Sequence, residues 1–175
     1  MVTLQTERLR LRLPAERDLD ALARMHADET HMRYMGGALD REATWRHIAM
    51  MLGHWQMRGY GLFAVEDRRD GTFLGRVGFI HPEGWPGFEI GWLIGREYAG
   101  RGYAAEAAAA ALDWCFASLD KDHVISLIHP DNRASIRVAE KLGERPSGRT
   151  RVKDLDVVVY RLERPDWTGR RRGEP

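Results

Sequence analysis

The segment IGREYAGRGYAAEA, Ile94–Ala107, carries a strand-like run through a short glycine-bearing turn straight into an alanine-rich helix. A strand feeding directly into a helix points to a fold in which α and β layers pack on each other. Gly100 and Gly102 let the main chain approach a ligand closely, and the N–H groups of Arg101, Gly102, Tyr103 and Ala104 would stand open at the helix start. Aligned peptide dipoles favour an anion such as a pyrophosphate there. A purely structural strand-to-helix turn has the same spelling, so on the motif alone both readings stay open.

Around this segment, short strand and helix patterns succeed one another. From Thr6 to Leu13, Leu9, Leu11 and Leu13 take one side and Arg8, Arg10 and Arg12 the other, as in a strand with one wet face and solvated arginines. Asp18 to Met35 places Leu19, Leu22, Met25 and Met32 at helical spacing until Gly36 and Gly37 break the pattern. Asp40 reads as the N-cap of a second helix running through Ala43, Ile48, Met51, Leu52 and Trp55 to near Gly59 and Gly61. The runs LFAVED, FLGRVGFIH and FEIGWLIG, separated by RRDGT and HPEGWPG, read as an antiparallel meander. A helix from about Gly102 to Leu119 follows, with Ala108, Leu112, Cys115, Phe116 and Leu119 as its apolar stripe. HVISLIHP is then a buried strand, NRASIRVAEKLG a short helix closed by Gly143, and DLDVVVYRL a last strand. The expected class is α/β, a mixed sheet with about four helices on it. One domain is expected over residues 1–167, followed by an Arg-rich, flexible tail at 168–175.

Composition narrows the function classes. A chain of 175 residues, 43% hydrophobic and 30% charged, suits one domain able to bury its core without disulfides or a structural metal. Lys and Arg number 27 against 26 for Asp and Glu, so no overall field recruits nucleic acid or an acidic membrane surface. The lone Cys115 makes no internal disulfide, MVTLQTERLRLRL is charged where a secretory signal is apolar, and no uncharged apolar stretch approaches the roughly 18 residues of a membrane span. A cytoplasmic protein is the expectation. His26, Asp28 and His31 lack metalloprotease spacing and there are no Cys pairs, so no metal is expected.

Two other phosphate motifs compete for GRGYAA. The Lys-Ser/Thr ending of a P-loop is missing, which removes support for nucleoside triphosphate hydrolysis. The looser G-x-G-x-x-A dinucleotide fingerprint is satisfied, but it arrives after roughly 95 residues of other structure, with too little chain behind it for a doubly wound sheet.

Three stretches, TERLRLR, FEIGWLIGREYAGRGYAAEA and HPDNRASIRVAEKLG, together resemble the GNAT acyltransferases, and within them the ribosomal-protein N-terminal acetyltransferase branch. In order and spacing the resemblance spans Thr6 to Trp167. It implies a mostly antiparallel sheet, a splayed central pair of parallel strands, and acetyl-CoA lying in the splay. Carried onto this chain, it puts the pyrophosphate on the amides of Gly100, Arg101, Gly102, Tyr103, Ala104 and Ala105. The pantetheine arm would run along the backbone of Trp92, Leu93 and Ile94 as if it were another strand. Asn132 and Ser135 would face the thioester end. Ala99 stands where the superfamily's phosphate turn often begins with Gln or Arg, an absence frequent in this branch.

The resemblance also frames the chemistry. Many members protonate the leaving thiolate with a Tyr in the helix after the fifth strand, where this chain has Ala139. Ser135, one turn into that helix, is the candidate acid; its alternative role is to cap the helix from Asn132 onward. An amine attacks only when unprotonated, and reference values of about 7.7 to 8.0 for an α-amine and about 10.4 for Lys call for a base. Glu89, in FEIGW, is the best-placed carboxylate, acting directly or through a water; its alternative is an ion-paired surface residue. His81 and His129, at strand ends, read as structural. Cys115 reads as a buried inert thiol, which favours direct transfer over a covalent acyl carrier. Met25, Met32, Met35, Met50, Met51, Trp45 and Trp55 read mostly as core, with some available to line an acceptor cleft.

The function expected is acetyl transfer from acetyl-CoA to a primary amine, on a protein N-terminus, a Lys or a small molecule. A non-catalytic acyl-CoA sensor and a transferase of a longer group such as succinyl remain alternatives. All these amines present the same nucleophile, so the acceptor is not written in the sequence, and monomer and homodimer are both compatible with it.

Overall fold

The structure is a computed structural model describing residues 2–152 and 154–167. The Arg-rich tail expected at 168–175 lies outside the described residues. In chain order the elements are β1 (Leu4–Gln5), β2 (Leu9–Arg12), α1 (Leu19–His26), α2 (Glu29–Met32), α3 (Arg41–Arg58), β3 (Leu62–Asp67), β4 (Phe73–Ile80), β5 (Glu89–Ile94), α4 (Tyr103–Ser118), β6 (His123–Ile128), α5 (Arg133–Leu142), β7 (Arg145–Val152) and β8 (Leu155–Glu163). The strands form one mixed sheet in the order β1-β2-β3-β4-β5-β6-β8-β7. Every neighbouring pair is antiparallel except β5 and β6, which run parallel and share a single register pair, Glu89 with Ile125. Past that pair the two strands part.

Strand alternation sorts the core into two layers. Phe63, Val65, Val77, Phe79 and Ile90 face α4, whose Ala107, Ala108 and Ala111 are fully buried; their small side chains let the helix lie close to the sheet. Leu62 and Leu93 face the other way, into a cluster with Leu22 of α1, Met32 of α2, and Ile48 and Met51 of α3. Each large apolar side chain so buried contributes about 1.5 to 3 kcal/mol. α3 begins at Asp40, whose carboxylate accepts from the Ala43 amide at 2.7 Å, and ends at Gly59 in the left-handed region. No helix among the described residues is long and apolar enough to cross a membrane.

Four features depart from the sequence pattern. The helix expected over Asp18–Met35 is broken into α1 and α2, because Asp28 leaves helical geometry and its carboxylate caps α2 by accepting from the His31 amide. The arginines of β2 are not simply solvated: Glu66 on β3 takes Arg10 and Arg12, and Arg12 also pairs with Asp18 and is only 12% exposed. Met25, Met32, Met51 and Trp55 are core as expected, but Trp45 and Met50 lie on the outer side of α3, and Met35 is exposed as well. Finally, β7 is an edge strand of mostly exposed residues whose spelling, RPSGRTRV, carries no apolar period.

Candidate active site

Where β5 and β6 part, β5 is left with one unpaired edge. The Gly95 amide donates to the Leu74 carbonyl at 2.9 Å, which marks these two as a hydrogen-bonded pair in the β4–β5 register. Alternation then turns the main-chain groups of Leu93 and Gly91 to Arg76 and Gly78, and those of Ile90, Trp92 and Ile94 toward β6. Ser126 Oγ meets the Ile90 carbonyl at 2.9 Å. Trp92 and Ile94 lie past the last β6 pairing, so their main-chain groups face the gap, where the His31 ring reaches the Ile94 carbonyl, whereas Leu93 borders it with its backbone already committed to Arg76.

The turn after β5 rests on two glycines in the left-handed region, Gly100 at φ 76° and Gly102 at φ 82°, the second being the N-cap of α4. The Tyr98 and Ala99 amides close on Gly95 and Arg96, and the next amide with a main-chain partner is Glu106, donating to Gly102 at 3.0 Å. Among the described residues, the N–H groups of Gly100, Arg101, Gly102, Tyr103, Ala104 and Ala105 donate to no protein acceptor. Consecutive open donors at the positive end of a long helix favour an anion. The N-terminal segment braces this turn. Thr6 and Arg8 both donate to the Glu106 carboxylate, and burial, which opposes its charge, is outweighed by these bonds, so Glu106 titrates below the usual range.

A cleft of about 440 Å³ joins these parts. Trp92, Leu93, Ile94, Gly100, Gly102, Tyr103, Ala104, Ala105, Asn132 and Ser135 line it; Arg101 and Glu89 do not. Its wall also holds Arg33, Arg96, Arg137 and Lys141 and, among the described residues, no carboxylate. Asn132 caps α5, its side-chain oxygen accepting from the Ser135 amide at 3.2 Å. The Ser135 hydroxyl itself makes no hydrogen bond among the described residues, so the cap is Asn132 and not Ser135. Ala139 is fully buried and offers no proton donor.

Glu89 opens β5 on the sheet face that α1 to α3 cover, and Trp85 Nε1 donates to its Oε2 at 2.6 Å. His129 stacks on Tyr34 with ring centroids 4.7 Å apart, and the Arg33 guanidinium lies 4.5 Å from the Tyr34 ring centroid, a bridge from the turn after α2 to the end of β6. His81 donates its amide to His54 Nε2. Burial pushes the Cys115 thiol up to about 12, consistent with an inert core thiol.

Two polar residues near the splay escaped the sequence reading. Arg76 is buried in the middle of β4, and the available signal was an arginine inside an eight-residue central strand, FLGRVGFI. Glu144, just past α5, is 3% exposed, and burial raises its carboxyl to about 8, with Ser126 Oγ 3.1 Å from its Oε1. No periodicity marked it.

The profile of the "Acetyltransferase (GNAT) domain" matches residues 8–145. The chain belongs to the GNAT acetyltransferase family. It is 38% identical over 165 residues to the uncharacterized Bacillus subtilis protein YkkB, spanning 90% of this chain and 93% of that one. An acetyltransferase crystal structure from Agrobacterium tumefaciens is similar at TM-score 0.85 and 35% identity, covering 93% of this chain and 95% of that chain. The ribosomal-protein-S5-alanine acetyltransferase from Vibrio fischeri shares the fold at TM-score 0.75 and 19% identity, over 95% and 99% of the two chains. The eight-stranded sheet with its single parallel pair is thus the GNAT sheet that the sequence resemblance implied.

Proposed function

We propose that this GNAT protein is a cytoplasmic N-acetyltransferase, one domain over residues 1–167, that moves an acetyl group from acetyl-CoA directly to a primary amine in a ternary complex. The observation that carries this reading is the row of open amides from Gly100 to Ala105, set in a cleft whose wall, among the described residues, has four cationic side chains and no carboxylate. A diphosphate fits those amides, and an extended amide-bearing arm fits the unpaired edge of Trp92 and Ile94. Bound acetyl-CoA supplies an activated thioester carbonyl.

The protein's residues then position and move protons. With the Leu93 amide committed to β4, the Ile94 amide, one of two on this open edge, meets the carbonyl oxygen as negative charge grows on it. Glu89, oriented by Trp85, takes a proton from the amine directly or through a water. The nitrogen bonds to the carbonyl carbon, the carbon–sulfur bond breaks, and the Ser135 hydroxyl gives its proton to the departing sulfur and takes back the proton that the new amide nitrogen sheds. Holding both partners in line supplies much of the acceleration.

Calorimetric titration and thermal shift test the reading: acetyl-CoA binds and raises the melting temperature, and NAD and ATP do not. Absence of both signals at millimolar acetyl-CoA would overturn it. Amine-dependent release of CoA, with mass detection of the acetylated product, separates transfer from binding alone, and succinyl-CoA run in parallel fixes the acyl group.

A further inference from the structure

We propose that the acceptor is a small amine that also bears a carboxylate, an amino acid or close analogue, and that Arg76 holds this carboxylate beside Glu89. The inference rests on the N-acetyltransferase reading and names its substrate class.

Arg76 lies opposite Ala64 on β3 and Leu93 on β5, so its side chain shares the sheet face covered by α1 to α3. It is 8% exposed. Its guanidinium offers five N–H donors, yet among the described residues it makes no ion pair and no hydrogen bond, and its Nε is sealed from solvent without a partner. A buried charge in that condition is costly unless something else completes it. His26, its neighbour from α1, brings no negative charge. Thr44 Oγ1 spends its proton on the Asp40 carbonyl at 2.8 Å, so His26 Nδ1 must donate to Thr44, at 3.1 Å. That leaves His26 Nε2 a buried lone pair on a neutral ring, the ring's titration being driven down to about 4 by burial and by Arg76. Glu89 is the anion whose charge reaches Arg76, and it also accepts from Trp85.

Between Arg76 and Glu89 the same face is open over Gly91, although a Cβ on Gly78 would meet the Gly61 carbonyl at 2.4 Å. Along β4 and β5 the pair after Arg76 and Leu93 is Gly78 with Gly91, and the pair after that is Ile80 with Glu89. A Cβ built on Gly91 meets nothing within 4 Å. A small molecule lying over Gly91 therefore has the proposed base at one end and, toward the other, a guanidinium without a hydrogen-bond partner among the described residues, at the level where β5 and β6 part. An amine at the Glu89 end and a carboxylate at the Arg76 end match this order of charges. A neutral amine would leave the guanidinium as it stands, which is how a built polar site rejects an incomplete ligand.

The test offers acceptors in matched trios, an amino acid, its carboxamide and its decarboxylated amine, over several side-chain sizes with saturating acetyl-CoA. The expected result is a kcat/KM at least about 100-fold higher for the carboxylate member, shrinking below about tenfold in Arg76→Met while the acetyl-CoA Kd holds. Equal rates across the trios, or a preference that survives in R76M, overturns the proposal. Thermal shift by free amino acids, with and without CoA, reads the carboxylate site apart from transfer: wild type is stabilised and R76M is not, and no shift in wild type also overturns it. Failure of acetyl-CoA to bind would instead sink the transferase reading. Urea unfolding separates a structural role, since replacing an unpaired buried guanidinium by Met leaves the midpoint equal or higher. A lowered midpoint would show Arg76 tied to partners inside the protein and would count against the site.

Discussion

Arg8 Nη1 donates to the carbonyl of Arg101 at 3.0 Å, joining the start of the sheet to the turn before α4 across 93 residues of sequence. The same guanidinium pairs with Glu106 at 2.5 Å and lies 4.6 Å over the Tyr103 ring. One side chain thus holds the carbonyl and the ring of two residues in the segment whose amides stand open, and the carboxylate of the residue that follows it. A binding turn ordered in advance loses less entropy when its ligand arrives.

Arg8→Ala should therefore act on binding more than on stability. The pair is solvent-screened, with Arg8 44% exposed, so its loss costs no more than about 1 kcal/mol in urea unfolding. The calorimetric Kd for acetyl-CoA should rise about five- to tenfold as the turn loosens. An unchanged Kd would detach the N-terminal brace from the site.

Gly102→Val tests the turn itself. At φ 82° a β-branched residue is strained by about 1 to 3 kcal/mol, while the nearest atom to a built Cβ, Arg8 Nη2, is an ordinary 3.5 Å away. The cost is conformational, so the turn should relax and its amides lose their common direction. Acetyl-CoA affinity should drop at least about tenfold, with Gly102→Ala intermediate. Wild-type affinity in the Val variant would exclude this turn as the diphosphate site.

Ser135→Ala should separate chemistry from binding. Because Asn132 caps α5, removing the Ser135 hydroxyl leaves the helix start intact and the melting temperature within about a degree. Loss of a positioned acid should lower kcat by about 100-fold or more, while the acetyl-CoA Kd stays within about twofold. Full turnover would remove Ser135 from the proton path.

What could be read from the sequence follows the range of the interactions involved. The meander, α4 and the parallel strand announce themselves through local period and punctuation, and the residues from Trp92 to Ile94 and Gly100 to Ala105 come together because one strand, one turn and one helix carry them in sequence. The Asp28 break was hidden because an N-cap competes with helix through a single side chain while the apolar spacing runs on undisturbed. β7 was hidden because an exposed edge needs no apolar face. Leu93 could not be told from Ile94 as a donor, since which strand residues point outward depends on the partner's register. Arg76 left one trace, an arginine inside a central-strand run, whereas Glu144 becomes unusual only once the fold buries it.

Glu144 gives the last prediction, in the pH dependence of stability. Ser126 Oγ stands 2.9 Å from the Ile90 carbonyl and 3.1 Å from Glu144 Oε1, and one hydroxyl proton serves one acceptor. A neutral Glu144 resolves this by donating to Ser126, which donates to Ile90. Burial, with the charge of Glu89 adding to it and only partly offset by Ser126, keeps the carboxyl protonated to about 8, against an ordinary 4.5. Below 4.5 both folded and unfolded chains hold the proton and Glu144 has no effect. Between 4.5 and 8 the unfolded chain releases it while the native state keeps it, so stability falls with rising pH by roughly a few kcal/mol and levels off above 8. Glu144→Gln keeps the shape and can still donate to Ser126. The difference between wild-type and E144Q unfolding free energies, measured by urea titration from pH 4 to about 9, should open across that window with the variant the more stable at its upper end. Parallel curves would mean that Glu144 is already ionised in the folded protein and that Ser126 donates to it instead.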